Sequence, residues 1–451
     1  MHDKTVAIIG AGPVGLAAAA HVLERGMSPI VLEAGPEAAH AIRQWQHVQL
    51  FSPWEYNVDK AAARLLAPTG WNSPDPQSYP TGGELIDRYL EPLATRTPLR
   101  EAIRTCSRVT AISRAGFDKA RTKGRERAPF EIRYQNGGGP EVLRADAVID
   151  VSGTWFSPNP AGSNGLPAIG ERERADRIAY GMPDVRGADR ARYAGKTVAV
   201  VGAGHSALGT LIDLVRLADE APGTQAIWLL RGADPAKTFG GGRNDKLAAR
   251  GELGSAFAAL VAAGRIRVET GFGVTHLSES EGRLVISAGE ARSVMADELV
   301  VSTGFRPDLS FLSELRLRLD PAIEAPAALA PLIDPNEHSC GTVRPHGARE
   351  LAHDEPGFYL AGMKSYGRAP TFLMMTGYEQ VRSIVADIAG DKQAAARVEL
   401  VLPETGVCTR GGVEPAAAAG CCGGPAKQEP SACCAADETA KKAGRAGCGC
   451  S

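Results

Sequence analysis

The stretch Lys4 to Glu33, KTVAIIGAGPVGLAAAAHVLERGMSPIVLE, decides the fold. Thr5 to Ile9 is a short apolar, mostly β-branched run, as a strand buried in a parallel sheet requires. Gly10, Gly12 and Gly15 follow as G-x-G-x-x-G, with Pro13 inside the motif. From Leu16 the chain reads as an alanine-rich helix ending near Gly26, and a second strand, Pro29 to Leu32, closes on Glu33 and Ala34. The first glycine allows a tight turn, the second lets backbone approach a pyrophosphate at the helix N-terminus, and the third lets helix and strand pack closely. Glu33 lies 18 residues after Gly15, where an acid takes a ribose hydroxyl. A glycine triplet alone is a weak signal and occurs in unrelated turns. Framed by strand, helix, strand and terminal acid, it specifies a dinucleotide fold.

A second unit repeats the plan. Lys196 to Val201 is a strand, Gly202 to Ala207 reads G-x-G-x-x-A through Gly204, His205 and Ser206, and Leu208 to Leu217 is an apolar helix. The next strand, Ala226 to Leu230, ends in Arg231 where the first unit has Glu33. An arginine there suits the 2′-phosphate of NADP, which an acid would repel. Lys237 or Arg243 would add charge; the alternative is that Arg231 is a solvated strand-end charge. The two units therefore differ in chemistry, the first placed for FAD and the second for NADPH, with His205 and Ser206 by the NADPH phosphates.

The rest of the chain fits around them. Trp45, Phe51, Trp54 and Tyr56 form an aromatic patch that either flanks a flat ring or packs on the core. Pro68 to Pro80 reads as a surface loop. Thr81 with Glu84 reads as a capping box. Phe117 to Pro129 is basic and expected to be an exposed insertion. Phe130 to Tyr134 and Val142 to Leu143 form a hairpin around Asn136 to Gly139. Ala147 to Val151, Glu298 to Ser302 and Gly357 to Gly362 are further strands, and Tyr378 to Ile388 is a closing helix. The expected class is α/β: two Rossmann-like dinucleotide-binding domains and a disordered, cysteine-rich tail. The expected boundaries are 1–160 and 301–395 for the two parts of a split FAD domain, 190–300 for an inserted NADPH domain, and 409–451 for the tail.

Composition narrows the class further. The chain has 451 residues, 44% of them hydrophobic, enough for two or three domains with sizeable cores. Lys plus Arg (50) nearly balances Asp plus Glu (52), which argues against nucleic-acid or membrane-surface partners. The first strand begins almost at Met1 and no apolar run reaches spanning length, so a soluble cytoplasmic protein without a leader is expected. Self-association into a homo-oligomer stays open.

Of nine cysteines, only Cys106 and Cys340 lie in the body; the others crowd the end of the chain. Cys421-Cys422, Cys433-Cys434 and Cys448-Gly449-Cys450 sit in a Gly/Ala/Pro/Lys-rich segment without apolar periodicity, hence expected to be disordered. Thiolates are soft ligands, and vicinal thiols chelate As(III), Hg(II) or Cu(I) without a preformed cage. The spacing is not that of a zinc ribbon. Against this stands a low-complexity tail whose cysteines do nothing specific. Cys340, in HSCGTVRPH, is either a thiol near the flavin whose pKa His338 or His346 lowers, or a buried structural cysteine.

At this point the residues resemble the two-dinucleotide-domain flavoproteins and, within them, the flavin-containing monooxygenases. The resemblance runs from residue 4 to about 390 and rests on GAGPVG, SGTWFSPNP, VVGAGHSA and TGFRPDLSFL. HVQLFSPW, YPTGGEL and MKSYGRAPT look like a bacterial subgroup that accompanies arsenic-resistance genes. It implies an FAD domain split by an inserted NADPH domain, and NADPH-driven oxygenation of a soft substrate such as a trivalent arsenical. It also implies cofactor contacts at Trp45, Ser52, Gly153, Thr303, Gly304, Gly362 and Met363. Arg43, Trp54, Cys340 and Arg368 become the candidates closest to the chemistry. The chain departs from the family: F-x-G-x-x-x-H is missing, no histidine lies between His47 and His205, and Met363 stands where disulfide reductases carry an aspartate. Two other readings compete: a flavin reductase of a metal ion or thiol adduct, and a metalloid-sequestering protein with a non-catalytic flavin body.

Overall fold

A computed structural model describes residues 4–239, 248–336, 343–370 and 372–400. All of them belong to the Met1–Cys408 unit. Cys340, His338, Arg243 and the six candidate metal ligands Cys421, Cys422, Cys433, Cys434, Cys448 and Cys450 lie outside the described residues.

Strand β1 (Thr5–Ile9) and strand β2 (Ser28–Leu32) run parallel, Ile8 against Val31, on either side of the helix Pro13–Glu24. The short β3 (Ile103–Arg104) extends the sheet beyond β2. An antiparallel sheet follows from β4 (Arg108–Arg114), β5 (Phe130–Asn136) and β6 (Gly139–Ala145), and β7 (Ala147–Asp150) then returns beside β1. The chain crosses to a second parallel sheet made of β8 (Ile178–Tyr180), β9 (Thr197–Val201), β10 (Gln225–Leu229) and β11 (Arg267–Glu269). A meander of β12 (His276–Ser280), β13 (Arg283–Ala288) and β14 (Arg292–Ala296) precedes β15 (Glu298–Val301), which inserts between β9 and β8. Finally β16 (Phe358–Leu360) completes the first sheet beside β7.

The orders are therefore β16-β7-β1-β2-β3 and β11-β10-β9-β15-β8. In each, the strand before the glycine motif is central, the following strand flanks it on one side, and a late strand flanks it on the other. The second sheet lies in sequence between β7 and β16, so the first is split as expected. Its strands reach back to Ile178, ahead of the boundary expected at residue 190. Central strands buried on both faces need continuous apolar runs, and Val6, Ala7 and Ile8 are fully buried, as are Val198, Ala199 and Val200.

Elements differ from expectation mainly at their ends. The first helix starts at Pro13, which its fixed φ suits to a first turn, rather than at Leu16. The closing helix runs from Met374 to Ile388. The Thr81–Glu84 capping box is formed in both directions. The basic 117–129 segment is not simply an exposed insertion. Arg125 in it is buried and bonds Glu355, which Arg114 also holds, and this buried charge cluster ties the antiparallel sheet to the approach of β16. Among the described residues no helix is long and apolar enough to cross a membrane.

Candidate dinucleotide and flavin site

Both long helices that follow a glycine motif begin uncapped. Gly12 and Gly204 are their N-cap residues, and neither offers a side-chain cap. Such a start leaves backbone N–H groups and the positive end of the helix dipole facing outward, which suits a phosphate. The space is there too. A Cβ built on Gly12 or Gly204 would meet nothing within 4 Å. One on Gly15 would lie 2.0 Å from the Gly10 carbonyl oxygen, and one on Gly202 2.3 Å from that of Ser302. So in each motif one glycine is dictated by packing, while another faces room that the fold does not fill. That is the arrangement a bound pyrophosphate requires, and the residues present fit a dinucleotide in both units.

The residues after the second strands complete the contrast. Glu33 is buried, and its two carboxylate oxygens accept the N–H groups of Ala11 and Gly35, each at 2.8 Å. Each oxygen keeps another lone pair for a ribose hydroxyl. The neighbouring Ala34 is exposed. Arg231, at the end of β10, is exposed and donates from Nη1 to the Ser163 carbonyl at 3.0 Å.

Two turns at the ends of β7 and β16 are joined by groups that sequence reasoning missed. Lys364 is fully buried, and its Nζ donates to Asp150 Oδ2 at 2.7 Å and to Ser152 Oγ at 3.0 Å, 4.3 Å from the centre of the Phe311 ring. Asp150 in turn accepts the Ser152 backbone N–H and hydroxyl. The pair fixes Gly153, which follows β7, relative to Gly362 and the half-buried Met363, which follow β16. Gly362 donates its N–H to Gln380 Oε1 at 2.8 Å, and Gln380 donates to Ser365 and to His346 Nε2. Burial lowers the His346 pKa and so favours the neutral ring, whose Nε2 accepts the amide while Nδ1 bonds the Arg344 carbonyl. The expected pairing of His338 or His346 with Cys340 involves residues outside the described ones; the described His346 is a desolvated imidazole that accepts a hydrogen bond. A lysine in the apolar run GFYLAGMKSYG and an aspartate ending the apolar AVID were the available signals.

The aromatic patch divides. Trp54 is a core residue, buried beneath the Arg88 guanidinium. The Ser52 hydroxyl bonds Asn57, which caps the turn by donating to the carbonyls of Ser52 and Pro53, so Ser52 serves the local turn. Arg43 lies 2.5 Å from Glu37 and 3.7 Å from Glu91, both partly exposed carboxylates, and its buried Nε makes no hydrogen bond. Trp45 and Phe51 behave otherwise. Phe51 packs edge-on against His205 at the first turn of the second unit's helix, ring centres 5.2 Å apart. Trp45 approaches Trp155 at 6.4 Å, and Trp155 lies 4.9 Å from Phe305. Trp155 and Phe305 come from the two chain segments that connect the sheets, so an aromatic wall stands where the two units meet.

Those segments pair as an antiparallel ribbon. Asn159 donates its N–H to the Gly304 carbonyl at 2.9 Å, and Arg306 donates its own to the Ser157 carbonyl at 3.0 Å. The Thr303 hydroxyl donates to the carbonyls of Asn159 and Pro160. Thr303 and Gly304 thus build the connection itself. Ser206 lies half-buried in the first turn of its helix. Arg368 is exposed, with Glu324 3.9 Å away. Among the described residues no three His, Cys, Asp or Glu side chains gather as a metal site. The one described cysteine, Cys106, is exposed, and its N–H bonds the Gly35 carbonyl beside Glu33.

Comparison with known proteins agrees with this geometry. Residues 7–340 match the family described as pyridine nucleotide-disulphide oxidoreductase. A ferredoxin–NADP reductase of Salinispora tropica is 26% identical over 342 residues, 71% of this chain and 80% of the relative. Indole-3-pyruvate monooxygenase YUCCA1 of Oryza sativa is 28% identical over 211 residues, 46% of this chain and 44% of the relative. Among solved structures, a bacillithiol disulfide reductase of Bacillus cereus superposes with a TM-score of 0.63 at 20% identity, covering 86% of this chain and 99% of the other. The FAD-bound cadaverine monooxygenase of Erwinia amylovora gives 0.60 at 15% identity over 89% and 99%. The two glycine-started helices, Glu33 and Arg231 thus sit in a fold of known flavoenzymes, and the chain belongs to the pyridine nucleotide-disulphide oxidoreductase family as an FAD- and NADP(H)-dependent oxidoreductase.

Proposed function

We propose that the chain is an NADPH-dependent FAD monooxygenase acting in the cytoplasm on a soft, electron-rich substrate, a trivalent arsenical being the expected one. The observation that carries this reading is the pairing of Glu33 behind one open glycine-started helix with Arg231 behind another, with aromatic side chains between the two units. The residues of the two units would hold FAD and NADPH, and bound FAD would supply the hydride-accepting and oxygen-reducing chemistry; the chain's residues bind, orient and exclude water. The helix starts at Gly12 and Gly204 would hold the two pyrophosphates. Asp150 and Lys364 hold the Gly153 and Gly362 turns in a fixed relation. Trp45, Trp155 and Phe305 form an apolar wall that keeps water from the junction. The monooxygenases among the similar proteins support this reading. The thiols of Cys421, Cys422, Cys433, Cys434, Cys448 and Cys450 would collect the metalloid, since adjacent thiolates match a thiophilic centre.

The ferredoxin–NADP reductase likeness favours a second reading, electron delivery to a metal ion or thiol adduct without oxygen. Stopped-flow absorbance separates the two. The FAD-loaded protein is reduced by NADPH without air, then mixed with oxygen with and without As(III). Rapid bleaching, then reoxidation by oxygen that As(III) accelerates with formation of As(V), is the expected result. Reoxidation by metal or thiol alone, indifferent to oxygen, overturns the oxygenase. Failure of NADPH to bleach the flavin overturns both.

A further inference from the structure

Three arginines from three distant segments surround one turn. Arg231, ending β10, donates to the Ser163 carbonyl at 3.0 Å. Two residues on, Gly165 holds a φ of +84° that L side chains rarely adopt, and it presents no side chain. A Cβ placed there would lie 3.7 Å from Nη2 of Arg368 and 3.9 Å from Nη2 of Arg306. Two guanidinium groups thus converge on one point. Arg306 is oriented toward it by Asn159, whose Oδ1 accepts from Nε at 3.0 Å, and its Nη2 reaches the Gly165 carbonyl only at 3.4 Å. Arg368 has Glu324 at 3.9 Å, a long and partly solvated contact. Carbonyl oxygens at long range do not neutralise two converging cations, and like charges held this close call for an anion.

We propose that Arg306 and Arg368 extend the Arg231 site into a three-arginine cradle around Ser163–Gly165 that grips the 2′-phosphate of NADPH. This rests on the reading of Arg231 as the NADPH-selecting residue and adds to it two residues that the strand-end motif does not contain. A dianionic monoester suits several guanidinium forks better than a carboxylate does. The shared turn ties the pair to the end of β10. Arg368 follows β16 and so belongs to the FAD half, whereas Arg231 lies in the NADPH half. Selection of NADPH over NADH is therefore made by both halves together.

The test is titration of the purified full-length, FAD-loaded protein with 2′,5′-ADP and with ADP, probes that differ in the 2′-phosphate. The native protein should bind 2′,5′-ADP about 100-fold more tightly, and Arg306→Gln or Arg368→Gln should each remove about tenfold of that preference while leaving ADP binding unchanged. Arg368→Lys, which keeps charge but loses the fork, should fall between. Flavin absorbance and melting temperature confirm that each variant is folded. If the native protein has no preference for 2′,5′-ADP, the reading of Arg231 fails, and this proposal with it. If Arg231→Gln abolishes the preference while Arg306→Gln and Arg368→Gln leave it intact, only the cradle is overturned. If the native protein binds inorganic phosphate and the latter two variants lose that binding with both nucleotides unaffected, the pair belongs to a substrate anion and the cradle is likewise overturned.

Discussion

A methyl group at Gly15 would fall 2.0 Å from the Gly10 carbonyl oxygen, whereas at Gly12, which has ordinary helical-start backbone angles, it would enter open space. The two substitutions should therefore separate folding from cofactor binding. Gly12→Ala should lower stability by no more than about 1 kcal/mol, yet give protein purified without flavin. Gly15→Ala should cost about 3 kcal/mol or more through overpacking. Thermal melts with the flavin-to-protein absorbance ratio check both. At the same scale, Lys364→Met leaves the Asp150 carboxylate buried without its cation, and removing one member of such a pair costs about 3–5 kcal/mol. The double variant Asp150→Asn with Lys364→Met should recover most of this, measured by urea unfolding. Recovery of stability without recovery of flavin content would show that the pair sets the spacing of the Gly153 and Gly362 turns.

The connecting ribbon is the element that joins the two chain segments running between the sheets. Asn159 contributes both main chain and side chain to it, donating to the Thr303 carbonyl at 3.2 Å and accepting from Arg306 at 3.0 Å. Asn159→Ala should cost about 1–2 kcal/mol, the usual worth of two such bonds. It should slow flavin reduction by NADPH more than it weakens FAD retention, because the FAD turns lie on the first sheet. Single-turnover reduction compared with flavin release reads this difference. The Thr81–Glu84 capping box stands apart from the ribbon, so Thr81→Ala should lower stability by about 1 kcal/mol and leave reduction unchanged.

Across the whole unit, acid should weaken the fold in two stages. Burial holds the His353 pKa down to about 4 from an ordinary 6.5, its Nδ1 accepting the Arg318 N–H. The unfolded chain therefore takes up a proton that the folded chain refuses, so stability present above pH 6.5 is lost as pH falls toward about 4. The loss amounts to about 3 kcal/mol. His346, also depressed by burial, has the same sign. Glu355 adds the lower stage. Burial alone would raise its pKa, but the hydrogen bonds from Arg114 and Arg125 outweigh this and hold it below the ordinary carboxylate range. Its contribution is intact above that range and is lost as pH falls through the depressed value. Melting temperature against pH should thus begin to fall near pH 6.5. His353→Asn, which keeps an acceptor for Arg318, should flatten that first fall; an unchanged profile would remove His353 as its source.

The two dinucleotide units were legible from sequence because everything that defines them is local. A β-branched run, a glycine triplet, an apolar helix and a strand-end charge occur within some thirty residues, and each follows from short-range sterics and periodicity. The capping box and the 130–145 hairpin were legible for the same reason. Tertiary structure alone decided which of the clustered aromatics enters the core, as Trp54 does, which meets the second unit's helix, as Phe51 does, and which approaches the connecting segment, as Trp45 does. It also decided the partners of buried charges: Lys364 meets Asp150 across 214 positions, and Arg125 meets Glu355 across 230. In sequence, a lysine or an arginine reads as a solvated surface charge, because only the crossing of the chain between the two sheets brings its counter-ion beside it and removes the water from both.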